Sequence, residues 1–448
     1  MSLAKSLSVH PAARPEGGGF CPKKLAERTN RAEIGGRSFL SPMKFFPAVC
    51  LAVGCLASVA GTFAASELAI TYSDSFGSAG SGTGQFNFPF AVGVNTDSGR
   101  VFVSDFSNDR MQQFSSGGSF KSTWGSTGIL NGQFRGPGGV AVRQSNGQIY
   151  VVDISNNRVQ RFDASGNFLS TWGSMGTGNG QFNGPTAIAI NQKNGQVYVT
   201  EQAGNRVQRF DATGTYLGQW GSAGTGTGQF NAPDGIAVNS STGQVYVSEF
   251  VGDRVQRFDA GGNYQTKWGG AGSGTGKFVN PVGMAVDDSG NVYVTDAGND
   301  RVQVFDGGGT FITSFGSSGS GSGKFRRPYA VAFDGTGNAY VVDNGNNRVE
   351  RWRVAVVDPS PTVTISGPKQ RTTSAARTNI HGAVTLGSGG AGISSITVQA
   401  PAKTYKLKGS TSWKAKIRLK RGKNRVKVTA ADSAGNTSDA AVVVITRQ

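Results

Sequence analysis

The sequence predicts an all-β protein, in which a six-bladed β-propeller is followed by a β-sandwich. The first observation is composition, because the 448 residues include 68 glycines and only 16% are charged. Such a chain is typical of short strands joined by turns. The second observation is an internal repeat, which determines architecture. The phenylalanine of a G-Q-F or G-K-F motif recurs in four steps of 48 residues and one of 47, at Phe86, Phe134, Phe182, Phe230, Phe278 and Phe325.

The first 65 residues precede the repeats. Residues 1–42 are predicted to be a non-structural extension before a start at Met43. Residues 43–65 hold one lysine, an apolar run of roughly 15 residues and then small residues, which is the layout of a secretory signal. Cleavage, retention as a membrane anchor and lipidation at Cys55 are the alternatives, and each exports the rest of the chain. All thiols lie in this region, so no disulfide is expected after it; they are Cys21, Cys50 and Cys55.

Each repeat unit predicts four strands. In the third unit these are G-P-T-A-I-A-I-N from Gly184, Q-V-Y-V-T-E, R-V-Q-R-F-D and T-Y-L-G-Q-W, separated by hairpin-length turns. A single antiparallel sheet cannot cover both of its faces, so six sheets are expected to pack in a ring over residues 66–357.

The two ends of this region are expected to close the ring. The sixth unit lacks the fourth strand that ends at Trp or Phe in the other units, whereas L-A-I-T-Y-S-D-S-F before the first unit places Phe76 48 residues ahead of Trp124. The first strand should therefore complete the last sheet, beside Trp352, and cover a free edge.

The repeat resembles the NHL repeat. The resemblance rests on G-Q-F-x-x-P, V-Y-V-x-D/E and N-x-R-V-Q-x-F, as in Gln181–Pro185, Val197–Glu201 and Asn205–Phe210, and it covers all six units. It implies an NHL-type six-bladed β-propeller, and it implies no activity.

An acidic residue precedes an arginine by five positions in every unit. The acid ends one strand and the arginine begins the next, so the pair is expected to clasp the turn between them. Six copies of one pair predict a structural role, because an active site needs different groups that converge. The pairs are Asp105/Arg110, Asp153/Arg158, Glu201/Arg206, Glu249/Arg254, Asp296/Arg301 and Asp343/Arg348.

No catalytic residue, metal site or cofactor is predicted. Both histidines, His10 and His381, lie outside the propeller, which argues against the histidine-dependent lyases of similar shape. Lactonases of similar fold hold a cation with several polar residues at the channel mouth. Here the position after the proline of each unit holds a single acid, Asp234, which is either a lone ligand contact or a solvated loop residue. A metal-dependent hydrolase of the lactonase type is the alternative function. The six residues are Phe90, Gly138, Thr186, Asp234, Val282 and Tyr329.

One part of the rim departs from sixfold symmetry. The loop before the inner strand and the loop after the second strand are expected on the same rim, where the sixth and first units meet. Aromatic rings beside arginines commonly anchor recognition surfaces, and the alternative is that the rings pack against the adjacent blade. The candidate residues are Phe88, Phe90, Phe106, Phe250, Arg326, Arg327 and Tyr329.

Residues 358–448 predict a second domain of about seven strands. The run G-K-N-R-V-K-V-T-A-A-D-S-A-G-N-T-S resembles the last hairpin of bacterial Ig-like modules, which implies an Ig-like β-sandwich. The domain has 15 Lys and Arg against three acids, whereas residues 67–357 have 21 of each.

Alternation assigns the faces of this domain. In S-W-K-A-K-I-R-L-K, Trp413, Ala415, Ile417 and Leu419 point inward and the cations between them outward. Arg425 and Lys427 are expected to continue this outward set on the next strand. Like charges opposed on paired strands cost roughly 0.2–1 kcal/mol per pair, so a polyanion partner is favoured over solubility alone. The candidate cations are Lys406, Lys408, Lys414, Lys416, Arg418, Lys420, Arg425 and Lys427.

Together these patterns favour an exported, non-enzymatic binding or scaffold protein. Its rim would recognise a protein, glycan or polymer, and its basic domain would hold it to an anionic envelope polymer or to a membrane or wall surface. Nucleic-acid binding is a further alternative, against which the neutral propeller and the export signal argue.

Overall fold

The computed structural model describes residues 67–357, 361–386, 392–433, 437–438 and 440–448. The predicted extension and signal segment lie outside these residues. The described part of the chain is almost entirely β-structure, with 32 strands and four single-turn 3-10 helices. Its helices are too short and too polar to cross a membrane.

Six four-stranded antiparallel sheets form the blades of the propeller. Blade 1 comprises β2 (Pro89–Asn95), β3 (Arg100–Asp105), β4 (Arg110–Phe114) and β5 (Phe120–Trp124). Blade 2 comprises β6 (Pro137–Arg143), β7 (Gln148–Asp153), β8 (Arg158–Phe162) and β9 (Phe168–Trp172). Blade 3 comprises β10 (Pro185–Ile190), β11 (Val197–Glu201), β12 (Arg206–Phe210) and β13 (Tyr216–Trp220).

The second half of the ring repeats this arrangement. Blade 4 comprises β14 (Pro233–Asn239), β15 (Gln244–Glu249), β16 (Arg254–Phe258) and β17 (Tyr264–Gly269). Blade 5 comprises β18 (Pro281–Val286), β19 (Val292–Asp296), β20 (Arg301–Phe305) and β21 (Phe311–Phe315). Blade 6 comprises β22 (Pro328–Phe333), β23 (Asn338–Asp343), β24 (Arg348–Val357) and the first strand of the chain, β1 (Glu67–Phe76). The 3-10 helices follow the second strands of four blades, at Phe106–Asn108, Ile154–Asn156, Ala297–Asn299 and Asn344–Asn346.

The predicted closure of the ring is confirmed. Strand β1 pairs antiparallel with β24, with Tyr72 opposite Trp352, and their rings meet edge to face at 5.8 Å. Asp74 and Arg351 form an ion pair across the same two strands. The inner strand of blade 6 also contacts that of blade 1, so blades 1 and 6 are neighbours.

The blades are held together by aromatic side chains between them. The phenylalanine of each G-Q-F or G-K-F motif is fully buried. In blade 3, Phe182 packs on Phe210 with ring centroids 5.6 Å apart, and Trp172 of blade 2 packs on the same ring at 5.9 Å. Gly173 has a φ of +99°, and a side chain there would come within 2.5 Å of the Phe182 ring. The repeated tryptophan-glycine step therefore makes room for the next blade.

The C-terminal region forms two sheets around one core. The three-stranded sheet has the order β25 (Thr362–Val363), β27 (Arg377–Thr385) and β30 (Ser412–Arg418). The five-stranded sheet has the order β26 (Gln370–Thr373), β32 (Ala441–Arg447), β31 (Gly422–Asp432), β28 (Ile393–Ala400) and β29 (Lys403–Lys408). Trp413 and Ile417 of one sheet share a buried cluster with Val428 and Ile445 of the other. The described residues of the C-terminal region thus contain eight strands, where about seven were predicted.

The pairing of the basic strands differs from the prediction. Strand β31 does not pair with β30, because Leu419 is buried and the chain crosses at that point from the three-stranded to the five-stranded sheet. Arg425 and Lys427 therefore do not continue the outward face of Lys414, and they project from the other sheet. The alternation of side chains along each strand does not show that the chain changes sheets at this link.

Candidate ligand-binding site on the propeller rim

Two elements of every blade meet at one end of the ring, here called the entry rim. The proline that begins each inner strand is the register partner of the acid that ends the second strand, as in Pro89 with Asp105 and Pro328 with Asp343. The loops before the inner strand and after the second strand consequently lie on the same rim, as predicted.

The predicted acid–arginine clasp is confirmed in all six blades. The arginine Nε lies between 2.5 and 2.9 Å from the buried carboxylate of its partner. In blade 3, Arg206 donates to Glu201 and also to the carbonyl oxygens of Thr177 and Gln181 in the glycine-rich loop. Each clasp therefore fixes a turn and the preceding loop, which is a structural role.

A second link joins each blade to the next. The Asn or Asp before each clasp arginine accepts a hydrogen bond from the backbone N–H of the residue before the next blade's proline. Asn157 accepts from Gly184 at 3.2 Å, and Asn347 of blade 6 accepts from Phe88 of blade 1 at 2.8 Å, which closes the ring. This hydrogen bond fixes the backbone of the residue before the proline. Each blade therefore presents one such residue in a fixed position on the entry rim.

That residue has a left-handed backbone in every blade. Its φ lies between +50° and +67°, a region that glycine adopts freely and that bulky residues rarely enter. Blades 2 and 3 place Gly136 and Gly184 there, whereas blades 1 and 6 place Phe88 and Arg327. The full set is Phe88, Gly136, Gly184, Ala232, Asn280 and Arg327.

Phe88 and Arg327 lie in one group of side chains with three further predicted residues, and we call this group the junction sector: Phe88, Phe90, Phe106, Arg327 and Tyr329. The Tyr329 ring meets Phe88 and Phe90 edge to face at 5.5 and 5.6 Å, and Phe90 stacks on Phe106 at 5.7 Å. Arg327 lies over the Tyr329 ring at 5.5 Å and donates from Nη2 to its hydroxyl at 2.7 Å.

The junction sector is partly packed and partly open. Tyr329 is only 7% exposed, the three phenylalanines are half-buried and Arg327 is exposed. The rings thus pack on one another, as the alternative interpretation held, and they also leave aromatic edges and a guanidinium at the surface. Such a surface can stack on an apolar or planar group while the arginine binds an acceptor.

The two other predicted rim residues lie beside the sector. Phe250 packs in the same hydrophobic cluster but makes no ring contact with the sector among the described residues. Arg326 is exposed, and its backbone N–H donates to Asp343 at 2.7 Å. Unlike Arg327, neither Phe250 nor Arg326 has a left-handed backbone.

Asp234 is not the solvated loop residue that was expected. Its side chain is 6% exposed, Oδ2 accepts a 3.3 Å hydrogen bond from Gln202, and Oδ1 has no hydrogen-bond partner among the described residues. Burial raises the pKa of Asp234 to about 7. The pKa of Tyr329 is also raised, mainly by burial, with Arg327 lowering it and Asp234 raising it. Asp234 is therefore within electrostatic reach of the junction sector.

Sequence reasoning missed an open cavity at the opposite end of the ring, where the inner strands end. The cavity has a volume of about 710 Å³. Aliphatic residues of the inner strands line it, including Val94, Val142 and Ile190, and the polar residues Thr96, Gln144 and Gln192 border it. Hydrogen bonds join this border from blade to blade, since Thr96 N–H donates to Gln144 and Gln144 N–H donates to Gln192, both at 2.9 Å. The apolar sequence of the inner strands was the available signal.

The eight predicted cations of the C-terminal domain are all exposed. The structure brings them together only in part, since Lys414, Lys416 and Arg418 lie on the three-stranded sheet. The remaining strand residues lie on the five-stranded sheet: Lys406, Lys408, Arg425 and Lys427. Arg418 is directly opposite Arg377 on paired strands, and Arg377 was not among the predicted residues.

In the part of the chain that the structure describes, no group of three or more His, Cys, Asp and Glu side chains could hold a metal ion.

Comparison with known proteins supports the propeller. A family model described as a 6-bladed β-propeller matches residues 140–220, and the NHL repeat model matches residues 278–305. No curated protein matches the chain.

The chain is also similar to solved structures. A protein of unknown function from Bacteroides thetaiotaomicron is 18% identical, with a TM-score of 0.51 over 64% of this chain and 77% of that one. A gluconolactonase from Xanthomonas campestris is 15% identical, with a TM-score of 0.46 over 61% and 88% of the two chains. A virginiamycin B lyase from Staphylococcus aureus is 14% identical, with a TM-score of 0.44 over 64% and 100%. At 18% identity, the similarity to the first of these structures concerns the fold alone.

Proposed function

We propose that this protein is an exported, non-enzymatic binding protein. In this proposal the junction sector binds a protein, glycan or polymer ligand, and the basic C-terminal domain holds the protein to anionic envelope material.

The observation that carries the proposal is the backbone of Phe88 and Arg327. Bulky residues in left-handed conformation cost about 1–2 kcal/mol each, and the same position holds glycine in blades 2 and 3. The two costly residues are neighbours across the ring closure, and both contact Tyr329. Bulky side chains held in this backbone conformation at two neighbouring rim positions support a function there that outweighs their cost in stability.

The chemistry of the sector supports a ligand with an apolar face and a polar acceptor. The Phe and Tyr edges offer stacking area, and the Arg327 guanidinium offers donors for a hydroxyl, carbonyl or carboxylate. A sugar ring, an aromatic side chain and a repeating polymer unit all have these two features.

The C-terminal domain supports attachment. Its sheet orders, β25-β27-β30 and β26-β32-β31-β28-β29, suit the Ig-like sandwich that the sequence resembles, and Ig-like modules commonly serve as spacers and binding domains. The 15 basic residues against three acids would attract an anionic surface.

A glycan and polymer array tests the rim. The full chain is expected to bind a defined set of ligands, and a variant with Arg327→Gly and Tyr329→Phe is expected to lose at least about tenfold in affinity, because it loses the guanidinium and the hydroxyl but keeps the ring packing. Ala232→Gly changes the equivalent position of blade 4 and is the matched control, which should bind normally.

Two results would contradict the proposal. Equal binding by the double variant and the wild type would remove the junction sector as the site. Turnover of a lactone panel by the wild type would show an enzyme, which is the alternative function.

A further inference from the structure

A basic cleft opens at one end of the C-terminal domain, with a volume of about 730 Å³. It lies where β27 and β29 begin, where β30 and β32 end, and beside the link from β30 to β31. The two sheets therefore both contribute to its walls.

The polar lining of this cleft is almost entirely cationic. Four arginines line it, namely Arg377, Arg418, Arg421 and Arg447. Three lysines complete it, namely Lys403, Lys416 and Lys420. None of the seven forms an ion pair with a carboxylate of the described residues.

The cleft has a fixed framework. The fully buried Asn424 accepts from Lys420 N–H at 2.8 Å and donates to the carbonyl oxygens of Lys420 and Gly422 at 2.7 and 2.8 Å. This holds the turn that carries Lys420 and Arg421. On the other wall, the Tyr405 hydroxyl accepts from Arg418 N–H at 3.1 Å. The cations are thus presented from ordered backbone.

Two of the arginines lie side by side on neighbouring strands and form no ion pair with a carboxylate of the described residues. Arg377 and Arg418 are direct register partners on β27 and β30, where like charges repel. A bound anion between the walls would remove this repulsion.

We propose that this cleft binds one segment of a linear phosphate polymer. Guanidinium groups match phosphate oxygens with two parallel hydrogen bonds. Seven cations in one cleft suit a linear chain that carries a charge on every monomer. Among the described residues, Tyr405 is the single aromatic residue of the lining. This disfavours single-stranded nucleic acid, because that ligand is held by repeated base stacking. This inference rests on the proposed attachment function and names its ligand.

Binding of short-chain inorganic polyphosphate to the full chain tests the inference. Arg377→Gln, Arg418→Gln and Arg421→Gln together remove three charges inside the cleft. Lys369→Gln, Arg371→Gln and Lys423→Gln remove three charges of the same domain that lie outside the cleft and outside the predicted set of cations, and they form the matched control. We expect the cleft variant to lose at least about tenfold in affinity. We also expect its slope of log K against log salt to fall by about 0.7 for each lost phosphate contact. The control should stay within about twofold.

Folding and ligand source are controlled in the same experiment. Unchanged thermal unfolding shows that the variants fold, and Arg421→Gln alone, in an exposed turn, should weaken binding if the triple variant does not fold. Poly(glycerol phosphate) distinguishes an envelope polymer from free polyphosphate, and tight binding of either supports the proposal. Equal losses in the cleft and control variants would overturn the cleft in favour of diffuse attraction. Equal or tighter binding of polygalacturonate or single-stranded DNA would overturn the phosphate assignment.

Envelope sedimentation separates this inference from the proposed function. If wild-type protein sediments with envelopes at low salt but binds neither phosphate polymer, the cleft proposal fails and attachment stands. If the protein does not sediment, the attachment function itself fails.

Discussion

At the residue scale, the residue before the proline of each inner strand is left-handed in every blade, and the free-energy cost of that backbone depends on which residue each blade places there. Gly136 and Gly184 occupy the left-handed position without strain, whereas Phe88 and Arg327 occupy it with φ values of 59° and 52°. The backbone N–H groups of Phe88 and Arg327 donate to the side-chain oxygens of Asn347 and Asp300, and these hydrogen bonds hold the strained backbone in place. The side chains of blades 1 and 6 are therefore positioned more rigidly than ordinary loop residues.

Arg327→Gly should leave the free energy of unfolding unchanged or raise it by up to about 1.5 kcal/mol. The substitution removes about 1–2 kcal/mol of left-handed strain and loses an exposed contact with Tyr329 of about 0.5–1 kcal/mol. Arg326→Gly, one position earlier and without a positive φ, should instead destabilise by about 0.5–1 kcal/mol. Urea unfolding of the two variants checks the prediction, and a larger loss in Arg327→Gly than in Arg326→Gly would contradict it.

At the element scale, the blade depends on a buried ion pair at its rim. In blade 3 the fully buried Glu201 accepts from Arg206 at 2.6 Å and from Gln208 at 2.7 Å, and it also accepts from the backbone N–H of Asn183 at 2.8 Å. One carboxylate thus connects the second strand, the third strand and the preceding loop.

Glu201→Ala should destabilise the propeller by about 3–5 kcal/mol, because it leaves the Arg206 charge buried and unpaired. Asp211→Ala in the same blade removes an exposed turn acid that accepts from Thr213 and Thr215, and it should cost about 1 kcal/mol. Thermal and urea unfolding of both variants measures the difference. Similar losses in the two would show that the clasp contributes no more than a surface turn.

Blade 6 departs from the other blades at one buried position. Glu350 replaces the glutamine of blades 1 to 5, and its Oε1 lies 2.7 Å from Arg348 Nη2. Burial raises the pKa of Glu350 to about 7, with Arg348 lowering it and Asp343 raising it further. A carboxyl whose pKa is raised on folding binds its proton more tightly in the folded chain. Its contribution therefore reduces stability as the pH rises from its ordinary pKa of 4.5 through about 7.

Glu350→Gln should stabilise the protein by about 2 kcal/mol above pH 7 and by little below pH 4.5. The physical reason is that an amide keeps the hydrogen-bonding shape and carries no charge to bury. Asp234→Asn serves as the parallel variant, since its carboxyl has a similarly raised pKa and lies in another blade. Urea unfolding from pH 4 to 9 checks both, and a gain for Glu350→Gln that does not change with pH would contradict the assignment.

At the scale of the whole molecule, closing the ring creates the candidate site. Strand β1 completes blade 6, and blades 6 and 1 are thereby held side by side. Tyr329 of one blade can then meet Phe88 and Phe90 of the other. The site depends on contacts between residues that are about 240 positions apart in the chain.

Periodicity was enough to predict the ring, its closure and the clasps, because each is a local pattern repeated at fixed steps. The burial of Asp234 was not predictable from the sequence. Its contact with Gln202 of the neighbouring blade depends on how the blades pack, and no local pattern identifies it. The swap of β31 to the second sheet was missed for a similar reason, because the crossing at Leu419 is determined by the core and not by the turn. The left-handed backbone of Phe88 and Arg327 was not predicted, because neither residue type indicates that conformation, whereas glycine does at Gly136 and Gly184.

Hydrogen–deuterium exchange of the full chain, with and without the ligand selected on the array, tests the central claim that the junction of blades 6 and 1 is the binding site. Slower exchange is expected in peptides that cover residues 86–90, 104–108 and 326–330, since bound ligand would exclude water from both blades at once. Slower exchange at the opposite end of the channel, around residues 94–98 and 142–146, with no change at the junction, would contradict the claim.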